Sequence, residues 1–234
     1  QCLQIITREH EALRTFFAFN GGQWVQKINP EPVVDIQYIT AEQNPAGWQE
    51  TIRGLIRPLN PEEAPLFRMF AIQDDTHRHI LVLDIHPLIC DMESMDIFFR
   101  NLMAVYRGES IPGQPIQFKD YADMQNRALR SGHYNKQAEY WLNQFNDKIP
   151  ALKLGADLPE TASGDNSRDI MSLALSFELM SRFKRINAGL RVTNWMISYG
   201  ALAILLYQYT DDENVVVGLT ASGRPGDQLD NAIG

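Results

Sequence analysis

The sequence predicts an α+β protein of the α/β-sandwich type, and three observations carry that expectation. β-rich runs joined by turn signals crowd residues 15–85, amphipathic helical patterns crowd 94–145, and both patterns recur beyond a Pro- and Gly-containing stretch at 147–168. With 234 residues, 44% hydrophobic and 21% charged, the composition is that of a globular protein. A chain of this length buries roughly 70% of its unfolded surface and needs neither disulfide nor metal to fold.

The elements follow in order. Ile5 to Phe17 starts with helical spacing and turns β-rich at Thr15, Phe16, Phe17 and Phe19. Asn20-Gly21-Gly22 then marks a tight turn into Trp24 to Ile28, a β-hairpin. Val33 to Ile39 reads as a strand and Trp48 to Ile56 as a short helix ended by the Pro58/Pro61 loop. Leu66 to Gln73 and His79 to Ile85 read as strands joined by Asp74-Asp75-Thr76, and the continuous apolar run Ile80 to Leu83 places the second in the middle of its sheet. Ser94 to Tyr106 sets Met95, Phe98, Phe99, Leu102, Met103 and Tyr106 on one helical face. Helices at Asp120 to Leu129 and Tyr134 to Phe145 follow. After the stretch at 147–168 come a strand (Ile170 to Leu175), a helix (Glu178 to Ala188), a helix capped by Thr193 and running to Tyr209, the turn Asp211-Asp212-Glu213, and a strand (Val215 to Gly218). The expected division is 1–150 as an N-terminal lobe, 151–168 as linker, and 169–234 as the start of a second lobe.

A net charge of −8 and a pI near 5.1 argue against a general nucleic-acid or membrane-surface binder. Cys2 and Cys90 make no disulfide framework and no CxxC or Cys/His cluster. Charges at Arg8, Glu9, Glu11 and Arg14 rule out a secretory signal in the first 20 residues, and the absence of an initial Met suggests a piece of a longer polypeptide. The run Met196 to Tyr207, interrupted by Ser198 and Gly200, is shorter than the ~20 residues of a spanning helix. The expectation is a soluble protein of the reducing cytoplasm, with no membrane and no nucleic-acid partner.

The stretch Leu83-Asp84-Ile85-His86-Pro87-Leu88-Ile89-Cys90-Asp91-Met92-Glu93-Ser94-Met95 carries the most chemistry. A strand ends in His86, and five residues later Asp91 opens an amphipathic helix. A His so placed can be held rigid and partly desolvated as a general base. Two plainer readings stay open beside it: His86 as a satisfied core histidine, and Asp91 as a helix N-cap. His77 and His79 read as solvated strand-end residues, Cys90 as a small buried hydrophobe, and Gly218 to Gly226 lacks a phosphate-cradling pattern.

Several segments share an order with one family. His10-Glu11-Ala12-Leu13-Arg14-Thr15-Phe16-Phe17 is similar to HExLRTxF, Phe118-Lys119-Asp120-Tyr121-Ala122 to YxDYA, and Pro65-Leu66-Phe67-Arg68, Tyr140-Trp141, Val215 to Gly218 and Gly223-Arg224 follow in sequence. The chain thereby resembles the condensation domains of nonribosomal peptide synthetases and, more distantly, chloramphenicol-acetyltransferase-like acyltransferases. The resemblance implies a chloramphenicol-acetyltransferase-like lobe plus the start of a second similar lobe. It also implies acyl or aminoacyl substrates carried on the phosphopantetheine arms of carrier proteins of the same assembly line, with no cofactor bound directly and no metal. The expected setting is antibiotic or other secondary-metabolite biosynthesis.

The active-site motif of that family is HHxxxDG, and the chain departs from it. Aligned on Asp91, the first His is His86, the catalytic second His is replaced by Pro87, and the Gly by Met92. Proline has no side-chain proton acceptor. The heterocyclising pattern DxxxxDxxS is met by Asp91 and Ser94 but not by His86. The SxAQxR motif is absent, and Ile233-Gly234 falls where an IGxFVNT segment begins. The resemblance further implies that Asp91 is held by Arg224, shaping the site rather than moving protons.

Three functions follow. The first is a condensation-type transferase in which His86 is recruited for the lost base. The second is a non-catalytic condensation-like domain that docks carrier proteins or a tailoring enzyme. The third, an unrelated chloramphenicol-type acyltransferase, is disfavoured because it too needs a His four residues before the Asp.

Overall fold

The computed structural model describes residues 1–40, 48–73, 78–111, 116–145, 149, 152, 171–224 and 226–234. These form two units, Gln1–Asn135 together with Ser222–Gly234, and Lys136–Ala221.

The first unit opens with helix α1 (Cys2–Glu9), which buries Leu3, Ile6 and Thr7, an i, i+3, i+4 stripe. A 3-10 turn, Glu11–Arg14, leads into β1 (Thr15–Asn20), paired antiparallel with β2 (Gln23–Ile28) from Thr15 opposite Ile28 to Asn20 opposite Gln23. Gly21 and Gly22 have φ of 58° and 84°, the left-handed backbone that a two-residue hairpin turn demands and that glycine adopts without steric cost. A second sheet runs β3 (Ile36–Ile39), β4 (Phe67–Gln73), β5 (His79–Ile85), with β3 parallel and β5 antiparallel to β4.

The middle strand is therefore β4, not the Ile80–Leu83 run. Phe67, Met69, Phe70, Ala71 and Ile72 of β4 are buried, whereas β5 is only half-buried and Leu81 is 52% exposed. Side chains of an apolar run can be covered on one face and still belong to an end strand, which sequence alone does not distinguish.

Helix α2 (Trp48–Leu55) precedes β4, α3 (Met92–Tyr106) follows β5, and α4 (Phe118–Arg130) closes this part of the chain. The core joins Leu3, Ile6 and Leu13 to Phe67, Met69, Ile97, Phe98 and Ile233. A smaller cluster of Leu66, Ile89 and Cys90 is packed by Phe17, Ile85 and Met95. The buried face of α3 is Ser94, Ile97, Phe98 and Asn101, while Phe99, Met103 and Tyr106 are exposed, a rotation from the expected face. The rotation arises because two polar residues, Ser94 and Asn101, occupy core positions with hydrogen-bond partners, which an apolar periodicity does not register.

In the second unit, α5 (Asn135–Gln144) is followed by α6 (Phe177–Leu190) and α7 (Asn194–Thr210). Ser176 and Thr193 cap the latter two through their hydroxyls, which accept from the amides of Leu179 and Met196. Neither late strand forms: 171–176 and 215–218 are irregular. A β-rich run becomes a strand only against a ladder partner, and among the described residues this unit holds none.

The expected linker 151–168 lies outside the described residues apart from Leu152, as do Asp74-Asp75-Thr76, His77, Ile170 and Pro225. Residues 222–234, expected with the second lobe, belong to the first unit, where Ile233 is 2% exposed in the core. Only tertiary contacts across more than 100 residues of sequence assign them there.

Candidate functional site

Strand β5 delivers His86 into a turn. Its N–H donates to the Leu66 carbonyl (2.9 Å) and its carbonyl accepts from the Ile89 amide (3.1 Å), with Pro87 and Leu88 between. The fixed φ of proline suits the second position of such a turn. The His86 ring completes it, since Nδ1 accepts from the Leu88 N–H at 3.1 Å. His86 is half-buried and Pro87 exposed, and both line an open recess with Ile56, Arg57, Pro58 and Leu59. Arg68 braces that wall: it pairs with Asp84 across the β4–β5 ladder at 2.9 Å and donates to the Arg57 carbonyl.

Asp91 caps α3 and also meets Arg224. One oxygen, Oδ1, accepts from the Ser94 amide (2.7 Å), the Ser94 hydroxyl (2.6 Å) and Arg224 Nη2 (2.8 Å). Capping and ion pairing are thus made by the same atom. Partial burial pushes the Asp91 carboxyl upward, but the hydrogen bonds from Ser94 and the Arg224 guanidinium together outweigh it and hold it below the usual carboxylate range.

Arg224 is the hub. Its side chain is 11% exposed, and it donates from Nη1 to the Ala232 carbonyl (2.5 Å) and from Nη2 to Ser94 Oγ (2.9 Å) and the Gly234 carbonyl (3.1 Å). Nε lies 3.1 Å from Glu93 Oε2, an ion-pair distance without hydrogen-bond alignment. Ser94 Oγ in turn accepts the Gly234 N–H at 3.0 Å. Gly234 sits so close to Phe118 that a Cβ there would fall 2.4–2.6 Å from the root of its ring. Tyr121 Oη donates to the Gly223 carbonyl at 2.6 Å.

The cavity bounded by Asp91, Phe118, Tyr121, Arg224 and Gly234 is about 60 Å³. That is room for water-sized guests, whereas ligand pockets run to roughly 300–1,000 Å³. The cluster is a brace.

The structure therefore brings Asp91, Ser94 and Arg224 together and sets His86 and Pro87 apart in the preceding turn. No hydrogen bond or ion pair among the described residues joins His86 to the cluster. Met92, in place of the motif glycine, begins α3 with its side chain 83% exposed. His79 is exposed on β5. Burial, first, and the neighbouring Asp91 charge raise the Cys90 thiol to about 11, which removes it as a thiolate nucleophile.

Sequence reasoning missed Glu93, Gln117 and Gly234. Gln117 accepts the Glu11 N–H (2.8 Å) and donates to the Glu9 carbonyl (2.9 Å), so α4 is tied to the end of α1. The HExLRTxF-like segment is itself structural. His10 is buried, Glu11 pairs with Lys119 at 2.6 Å, and Arg14 donates to the carbonyls of Thr7 (3.0 Å) and Asn29 (2.6 Å). Among the described residues no His, Cys, Asp and Glu group could hold a metal ion, and no helix is long and apolar enough to cross a membrane.

The chain belongs to the condensation domain family, whose sequence model, described as "Condensation domain", matches residues 1–234. It is 33% identical over 232 residues to Bacitracin synthase 3 of Bacillus licheniformis, covering 99% of this chain and 4% of that protein. Its fold is that of solved condensation domains. The condensation domain from Monacolin K polyketide synthase MokA superposes with a TM-score of 0.84 at 21% identity, covering 100% of this chain and 56% of that one. A complex of the X-domain and OxyB from teicoplanin biosynthesis matches with a TM-score of 0.70 at 25% identity, over 89% and 48% of the two chains. The chain thus spans a few per cent of the synthases it matches and about half of the solved chains.

Proposed function

We propose that the chain is a modified condensation-type domain of a nonribosomal peptide assembly line, with impaired or altered peptide-bond-forming chemistry. Its substrates are acyl and aminoacyl thioesters on the phosphopantetheine arms of carrier proteins, and its setting is the cytoplasm of an antibiotic or secondary-metabolite producer. One observation carries this reading. Pro87 occupies the turn position of the motif's base, while the brace of Asp91, Ser94 and Arg224 at the start of the next helix is complete. The frame is kept and the proton acceptor is gone. Positioned general bases contribute typically 10²–10⁴-fold, so transfer to a protonated amine is expected to be slower by about that factor than in a relative carrying the second His.

The test is intact-protein mass spectrometry of transfer between a loaded donor carrier and a loaded acceptor carrier, using the whole assembly-line protein. Slow transfer that rises with Pro87→His is the expected result. A wild-type rate matching a His-bearing condensation domain overturns the proposal.

A second reading, a non-catalytic platform for carrier proteins or a tailoring enzyme, is favoured by the likeness to the X-domain of the teicoplanin complex with OxyB. It predicts stable partner binding and no transfer in either wild type or Pro87→His.

A further inference from the structure

His86 has two ring nitrogens, and the turn decides between them. A backbone N–H can only donate, so the 3.1 Å contact from Leu88 makes Nδ1 the acceptor. In the neutral ring the single proton is then on Nε2, for which there is no hydrogen-bond partner among the described residues. The lone pair that a general base would use is already committed to the turn. Protonating the ring would break the Leu88 bond in a segment that Pro87 has made rigid.

The recess beside the ring has matching chemistry. Ile56, Pro58, Leu59, Ile85 and Pro87 make it largely apolar. Its charged wall residues are Arg57 and Asp84, and Asp84 is already paired with Arg68 at 2.9 Å. An ammonium group, which can only donate, finds no free ring nitrogen there, and the Asp84 carboxylate already faces the Arg68 guanidinium, although its Oδ2 accepts no hydrogen bond. A carbonyl oxygen finds an N–H in apolar surroundings, where such a bond is strongest.

We propose that His86 is locked by the Leu88 amide as the Nε2–H tautomer and serves this recess as a hydrogen-bond donor to a carbonyl-bearing ligand, not as a base toward an amine. The assignment of the ring stands on local geometry; the choice of a thioester carbonyl as ligand rests on the function proposed above. His86 accordingly does not replace the base missing at Pro87.

The experiment is NMR on the isotopically labelled chain. The ring nitrogen spectrum should show Nδ1 unprotonated and Nε2 protonated at pH 8. S-acetyl-N-acetylcysteamine, a neutral thioester, should shift the His86 ring saturably, and ethylamine should not. His86→Asn, whose carboxamide oxygen can still accept from the Leu88 amide in an Asx turn, should keep the fold and lose the thioester response. An Nδ1–H tautomer overturns the ring assignment. No saturable thioester response, or an equal one to ethylamine, overturns the ligand assignment. Neither readout depends on peptide-bond transfer, so failure of the functional proposal in the carrier assay is seen separately.

Discussion

Arg224 and Asp91, 133 residues apart in sequence, meet at 2.8 Å through a carboxylate oxygen that also caps helix α3. The pair is unequal. Arg224 is 11% exposed and Asp91 40%, so water screens the carboxylate and the 3–5 kcal/mol typical of breaking a fully buried pair does not apply. Asp91→Ala is expected to cost about 1–2 kcal/mol, mostly the cap. Arg224→Ala, which also abandons the carbonyls of Ala232 and Gly234, should cost more, about 2–4 kcal/mol. Urea unfolding of both variants checks the order; equal midpoints would contradict it.

His10 sits beside Asn101, whose amide nitrogen is 2.9 Å from Nε2, and both are essentially inaccessible. Burial lowers the ring to about 4 from its ordinary 6.5. The group's folded value lies below its unfolded one, so stability is complete above pH 6.5. It falls as the unfolded chain alone takes up the proton, until the folded ring titrates near pH 4. The loss across that window is about 3 kcal/mol. His10→Gln should flatten the dependence of the urea midpoint between pH 6.5 and 4, and parallel curves for the two proteins would refute the assignment. The lowered Asp91 carboxyl adds its own loss only at more acid pH, below the ordinary carboxylate value.

Gly234→Ala should destabilise the first unit by about 1–3 kcal/mol, because the new methyl lands on Cδ2, Cγ and Cβ of Phe118, the base of the side chain as well as the ring. Phe118→Ala in the same chain should recover part of that loss. A thermal-unfolding double-mutant cycle with no coupling would show that the contact is not the cause.

Arg14 joins the end of α1 to the residues after β2 through the carbonyls of Thr7 and Asn29. Arg14→Ala should cost about 2 kcal/mol by stranding partly buried acceptors, and Arg14→Lys, with one donor head instead of a fork, should recover less than half. Hydrogen exchange at the Asn29 amide, which bonds the Arg14 carbonyl at 2.9 Å, reports the local opening.

Local chemistry was legible in the residues themselves, and distant chemistry only where the family resemblance supplied it. Asn20-Gly21-Gly22 announced its hairpin because glycine at positive φ is a local demand. Asp91 announced a helix start for the same kind of reason, and the family motif pointed to Arg224 as its partner. The face of α3 was misjudged because Asn101 is polar and yet buried against His10, a partner 91 residues away. Val215 to Gly218 has strand composition, but composition supplies no partner for the ladder. Gly234 was placed only by motif order, at the start of an IGxFVNT-like segment; its need is set by the Phe118 ring, which lies far off in sequence.

The return of residues 222–234 to the first unit makes that unit discontinuous, with Lys136–Ala221 inserted between its two pieces. During synthesis the core around Phe98 is short of Ile233, and Asp91 lacks its arginine, until the intervening segment has left the ribosome. At roughly 5–20 residues per second this delay lasts several seconds. Over that interval the nascent first piece displays apolar surface that only its own later residues can cover. Ribosome-bound chains halted before residue 222 should accordingly be the form that chaperones and proteases recognise.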